Sequence, residues 1–166
     1  MTDTLANLAT ETRTFPPAVE FAANAVATPG LYDEAATDWL GFWERQARQL
    51  DWDRPWSEVL DWSDAPFAKW FVHGRLNVAY NCVDRHVEAG NGDRVAIIFE
   101  PESGEAETIT YAQLQQRVSQ AANALAGLGV KAGDRVAIYL PMIPQAVISM
   151  LACARIGAVH SVVFGG

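Results

Sequence analysis

Residues 133–164 carry a strand–helix–strand pattern that leaves few folds open. Val136-Ala137-Ile138-Tyr139-Leu140 is an almost unbroken apolar run. Such a run marks a strand covered on both faces, as in parallel sheets. Pro141 and Pro144 frame the start of a helix running to about Ile156, and Gly157 ends it. Proline at the first turn and glycine just past the last is the usual helix asymmetry. Val159 to Phe164 forms the second strand. Two strands joined by a helix run parallel, and the crossover is expected to be right-handed. The second strand leads into Gly165-Gly166, where the sequence given stops. Parallel strands need neighbours on both sides, so the expectation is an incomplete piece of a larger α/β sheet.

Half of the 166 residues are hydrophobic and 19% are charged, a globular composition. The net charge of -8 argues against nucleic acid or an anionic membrane as partner. It leaves room for phosphate ligands, because a local basic patch or helix N-terminus can hold one on an acidic protein. Cys82 and Cys153 sit among apolar neighbours without metal or disulfide spacing. Both read as small buried hydrophobes in a reducing compartment. The longest apolar stretch, Met142 to Ala154, is interrupted by Pro144, Gln145 and Ser149 and is too short to span a bilayer. The opening Met-Thr-Asp-Thr-Leu-Ala lacks the basic start and apolar core of a signal peptide, so a cytoplasmic location is expected.

Three regions follow along the chain. Residues 1–30, punctuated by Pro16-Pro17 and Pro29-Gly30, read as an arm, extended or disordered. Residues 31–90 form a helical, aromatic-rich segment. Tyr32 to Leu50 fits one helix with Trp39, Phe42, Trp43, Ala47 and Leu50 on a single side. An irregular stretch to about Trp70 follows, and all six tryptophans lie between Trp39 and Trp70. Such a cluster reads as a packing layer rather than a ligand cage, since large rings bury much area in a segment lacking regular geometry. A second helix is expected after Asn77, with Val78, Cys82, His86 and Ala89 on one stripe and Gly90 to Gly92 ending it.

Residues 91–166 begin the α/β part. Arg94 to Glu100 and Glu107 to Thr110 read as a hairpin around Pro101-Glu102-Ser103-Gly104. Thr110 and Gln113 form a capping box, with Ile109 and Leu114 as the flanking staple. Leu114, Val118, Ala121, Ala122, Leu125 and Leu128 make the buried stripe of that helix, and Gly127 and Gly129 finish it.

These residues resemble a known family. Pro66-Phe67-Ala68-Lys69-Trp70-Phe71, Gly74-Arg75-Leu76-Asn77 and Asn81-Cys82-Val83-Asp84-Arg85-His86 are similar to the N-terminal region of the acetyl-CoA synthetases. So are Gly133 to Met142 and, most specifically, Ala152 to Gly166. The resemblance covers residue 31 to the end. The later half alone would indicate only the adenylate-forming superfamily. The aromatic segment narrows it to short-chain acyl-CoA synthetases. His73 stands where many members have glycine, and Gln145 where an acidic residue is common.

The resemblance implies the N-terminal portion of an AMP-forming acetate–CoA ligase, including the start of its AMP-binding domain. Acetate attacks the α-phosphate of ATP with Mg²⁺ present, and CoA then takes the acetyl group from acetyl-adenylate. It also implies that Phe164, Gly165 and Gly166 contact the adenine of CoA, opposite an arginine from later sequence. Bare glycines at a strand's carboxyl end suit such an approach, although they also suit a tight exit from the strand. No catalytic or metal-ligating residue is assigned within these 166 residues. The phosphate loop with its lysine, the adenine and ribose motifs and the adenylation lysine are expected further on. Lys69 lies among aromatics and Lys131 in a turn, so neither replaces that lysine. The three histidines lack ligand spacing, Asp84, Arg85, Asp134 and Arg135 read as surface or interdomain ion pairs, and Arg155 lies near a helix end where its charge suits the dipole. Residues 1–166 alone are expected to be inactive, with acetate, ATP, CoA and the remainder of the polypeptide as partners. The alternatives are a propionyl-CoA synthetase, or a short non-catalytic module that binds CoA or docks on a synthetase.

Overall fold

The computed structural model describes residues 13–164, in two compact units that divide between Trp43 and Glu44. In the first, residues 13–18 have no regular structure, and the expected extended arm contains a short helix, α1 (Val19–Ala23). Residues 1–12 of that arm lie outside the described residues. All side chains from Arg13 to Gly30 are exposed.

The single helix expected over Tyr32 to Leu50 is two helices, α2 (Pro29–Thr37) and α3 (Trp39–Ala47). The break is at Asp38, whose backbone leaves the helical region at φ -147°. Its carboxylate accepts the Gly41 N–H at 3.0 Å, as an N-cap does. Thr37 Oγ1 donates to the Asp33 carbonyl at 2.8 Å, a local bond that competes with helix continuation. On the stripe foreseen here only Ala47 is buried; Trp39, Trp43 and Leu50 are exposed.

The second unit opens with a hairpin that the sequence left irregular. Strands β1 (Glu58–Asp61) and β2 (Lys69–Val72) pair antiparallel, with Leu60 opposite Trp70. The aromatic packing layer lies beside it. Trp52 meets Trp56 at 4.9 Å and Phe71 at 5.5 Å, both edge-on, the arrangement ring quadrupoles favour. A Cβ at Gly74 would come within 2.6 Å of the Trp52 ring, so only glycine fits there. Phe71 and His73 hold left-handed backbone, φ 51° and 61°. That conformation disfavours side chains and explains why glycine suits position 73.

The helical segment 78–91 carries two π turns, Tyr80–Asp84 and Val87–Asn91. A π turn closes on the fifth residue rather than the fourth, so an α-period stripe misses its buried face. Ala79, Asn81, Val83 and Asp84 point inward, while Val78 and Cys82 are exposed. Cys82 is therefore not the buried hydrophobe expected.

The hairpin β3 (Val95–Phe99) and β4 (Glu107–Thr110) forms as foreseen, with a bulge between Val95 and Ile97. Helix α4 (Tyr111–Gly127) starts at the capping box: Gln113 N–H donates to Thr110 Oγ1 at 3.3 Å, and Thr110 N–H donates to Gln113 Oε1 at 2.9 Å. Its buried residues Leu114 and Val118 join Val83, Ile109 and Ile148 in the main core. Leu128, assigned to the stripe, lies past the helix end and is exposed.

Strand β5 (Arg135–Leu140), helix α5 (Pro144–Ile156) and strand β6 (Val159–Phe164) make the βαβ unit. The strands pair parallel from Arg135↔Val159 to Leu140↔Phe164. This is the only parallel pair among the described residues; the other two sheets are antiparallel hairpins. Ile138, Cys153 and Ala158 form the second core, with Leu125 of α4 and Met150 of α5 against it. Cover on both faces does not hold within this chain. Val136, Ile138 and Leu140 face the helices, but on the other face Tyr139 is 72% exposed and Val163, opposite it in register, is also exposed. Helices α4 and α5 pack on one side of the pair.

Gly157 ends α5 at φ 75°, and a Cβ there would approach Ala132 Cβ at 3.2 Å. Gly157→Ala should cost about 1–2 kcal/mol through left-handed strain and contact, read as a lower urea midpoint at unchanged slope. An unchanged midpoint would contradict this account of the turn.

Candidate functional site

Ligands of open α/β sheets collect beyond the carboxyl ends of the strands. At that end of β5 and β6 the structure has an apolar concavity of about 520 Å³. Leu140, Pro141 and Met142 form one wall, Val162 and Val163 another, and Phe99 with Pro101 of the β3–β4 hairpin a third. Pro141 and Pro144 shape the rim by stopping β5 and opening α5 at once. Glu100 and Glu102 are the charged residues of the lining.

Of the three residues expected to contact CoA, Phe164 closes β6 opposite Leu140, at this same end of the sheet. Gly165 and Gly166 lie outside the described residues. The concavity's lining has neither nucleophile nor histidine. No group of three or more His, Cys, Asp or Glu placed to hold a metal occurs among the described residues. The geometry suits a flat apolar ligand face.

The histidines lie elsewhere. His86 packs against the Tyr111 ring at 5.0 Å. His160 sits in β6 opposite Val136. His73 Nδ1 is 2.9 Å from Ser57 Oγ. Lys69 pairs with Asp61 across the first hairpin at 3.3 Å, and Lys131 stays in its turn, where its N–H donates to Asp134 Oδ2. Cys153 is buried, and that burial raises its thiol pKa, which keeps it unreactive. Tyr80 donates to Glu88 at 2.7 Å, and that bond holds its phenol above the usual pKa.

One cluster was not visible in the sequence. Asp84 reads as part of a surface or interdomain ion pair and Arg155 as a helix-end charge; in the structure Asp84 is buried and accepts Arg155 Nη2 at 2.7 Å and Gln115 Nε2 at 2.7 Å. Asn77 Nδ2 donates to the Arg155 carbonyl at 3.1 Å, near the C-terminal end of α5. Asn81 exchanges two hydrogen bonds with the Asp51 backbone, each 2.9 Å. The cluster thus joins the aromatic segment, α4 and the helix that leads into β6. Its members stand up to 78 residues apart in sequence, so spacing carries no signal of it.

Two outcomes follow. Asp84→Ala should destabilise the protein by about 2–4 kcal/mol, because it strands the Arg155 charge; a thermal midpoint equal to wild type would contradict that. Asp61 is held down to about 2 by the Ser63 hydroxyl and N–H, with Lys69 adding to them. A depressed carboxylate stabilises the fold above its unfolded value near 3.8 and stops doing so as pH falls through about 2. The stability gap between wild type and Asp61→Asn should be present at pH 6 and close across that window; a pH-independent gap in urea titrations would refute the assignment.

Comparison with known proteins places this architecture. The family described as AMP-binding enzyme matches residues 83–166. The family described as acetyl-coenzyme A synthetase N-terminus matches residues 29–82. Acetyl-coenzyme A synthetase of Streptomyces coelicolor is 65% identical over 164 residues, covering 99% of this chain and 25% of that protein. The protein of the same name from Mycolicibacterium smegmatis is 67% identical over 92% of this chain and 16% of its own length. That from Rubrobacter xylanophilus is 57% identical, again over 92% of this chain and 24% of its own. The chain spans a quarter or less of the length of these relatives.

Proposed function

Since the chain belongs to the AMP-binding enzyme family, we propose that it forms the N-terminal portion of an AMP-forming acetate–CoA ligase. The reaction converts acetate, ATP and CoA to acetyl-CoA, AMP and pyrophosphate through acetyl-adenylate. The observation that carries this reading is 65% identity to an acetyl-coenzyme A synthetase across 99% of the chain. The match runs through the aromatic segment as well as the βαβ unit, and the aromatic segment separates short-chain acyl-CoA ligases from other adenylate-forming enzymes.

Within that reading the chain divides into an arm (1–30), an accessory segment (31–90) and the start of the adenylation domain (91–166). Phe164, Gly165 and Gly166 lie against the adenine of CoA. The bare carboxyl end of β5 and β6 supports this, because a flat ring can approach there. Mg²⁺ travels with the ATP phosphates, and the described residues offer no ligand set for it. These residues contribute binding surface and support; the charge-stabilising groups of both half-reactions belong to other parts of the ligase. Residues 1–166 alone make no adenylate. A cytoplasmic location fits the substrates, and no described helix is long and apolar enough to cross a membrane.

The test is acetate-dependent ATP–pyrophosphate exchange paired with the intact mass of the purified protein. Exchange by a polypeptide several-fold larger than this chain is expected. Absence of exchange, or exchange driven better by propionate than acetate, overturns the acetate reading. In the active ligase, Phe164→Ala should raise KM for CoA about tenfold with the exchange rate unchanged. An unchanged KM would remove Phe164 from the CoA site.

A further inference from the structure

We propose that Arg54, Arg75, His73 and Ser57 form a binding site for a phosphate monoester dianion on the exposed side of the aromatic segment. Arg54 and Arg75 make an isolated antiparallel bridge, exchanging backbone hydrogen bonds at 3.2 and 2.8 Å. Residues directly opposite in such a pair present their side chains on the same face. Two arginines so placed repel each other.

A carboxylate nearby would relieve that repulsion, and the chain has carboxylates in excess, 20 against 12 lysines and arginines. Five of these carboxylates pair with other basic residues. Arg48 pairs with Glu44, Lys69 with Asp61, Arg85 with Asp51, Arg117 with Glu107 and Arg155 with Asp84. Among the described residues neither Arg54 nor Arg75 has an acidic partner, and both are exposed. On a protein of charge -8, two exposed arginines directly opposite in a bridge, without an acidic partner among the described residues, suit an external anion.

The neighbouring groups are arranged to the same end. Arg54 Nε donates to the His73 carbonyl at 2.7 Å, which anchors that guanidinium; its two terminal nitrogens have no partner among the described residues. His73 Nδ1 bonds Ser57 Oγ at 2.9 Å, and the other ring nitrogen has no partner among the described residues. His73 holds this position at φ 61°, in backbone that costs a side chain energy. Strain of this kind persists where the surroundings impose it, and it concentrates at ligand clamps. Guanidinium forks match phosphate oxygens two at a time, so a dianion bridging both arginines satisfies donors and cancels their repulsion together.

The site stands apart from the ligase reading and does not depend on it. Residue mapping after phenylglyoxal treatment of the full-length protein tests it, with inorganic phosphate as the probe and chloride at matched ionic strength as control. Phosphate should slow modification of Arg54 and Arg75 several-fold, with half-protection at about millimolar concentration, and chloride should not. No protection, equal protection by chloride, or no modification of either arginine in the absence of phosphate would overturn the proposal. Calorimetry supplies the second measurement: the R54Q/R75Q protein should lose at least a tenfold share of phosphate affinity without a lower thermal midpoint. Equal affinity in the two proteins overturns the site. Coenzyme A and its 3′-dephospho form then identify the source. Protection by the first alone assigns the site to that 3′-phosphate, and protection by neither assigns it to a free phosphate.

Discussion

Five side chains from four elements hold the larger unit together: Val83, Ile109, Leu114, Val118 and Ile148. Val83, Ile109 and Val118 are wholly excluded from water. Each such burial contributes about 2 kcal/mol, so the cluster outweighs any single polar contact nearby. Its geometry depends on where α4 begins. The capping box at Thr110 and Gln113 sets that start and turns Leu114, Val118 and Ala122 inward. The β3–β4 hairpin, the π-helical segment and α5 pack against the face so defined.

Polar ties then fix what the apolar core leaves loose. Asn77, Asn81 and Asp84 lie within two turns of one helix and reach three other parts of the chain. The π geometry makes this possible, because it brings Asn81 and Asp84 to the buried side together with Ala79 and Val83. Arg155 is held at the end of α5, one tight turn before β6. The aromatic segment therefore supports the strand that leads to the candidate CoA contact, although it lies far from it in sequence.

The face of β5 and β6 away from the helices and the concavity at their carboxyl ends are apolar and bare. A parallel pair has no stable place in water with one face uncovered. The curated relatives are at least four times longer than the stretch they share with this chain.

Local elements were legible because their causes are local. The βαβ unit, the β3–β4 hairpin and the capped helix follow from apolar period, prolines, glycines and cap residues a few positions apart. Family membership was legible from the runs at residues 66–86 and 133–166, which the matches over residues 29–82 and 83–166 support. Other features escaped the apolar period. Asp38 split a helix whose period was continuous, and π turns rotated the buried face away from Val78 and Cys82. Asp84 looked like a surface charge because its partners, Gln115 and Arg155, stand 31 and 71 residues away. The facing of Arg54 and Arg75 came from a bridge that neither strand propensity nor charge count foretells. Short-range propensity and capping chose the elements; burial and long-range pairing chose which side of each faces what.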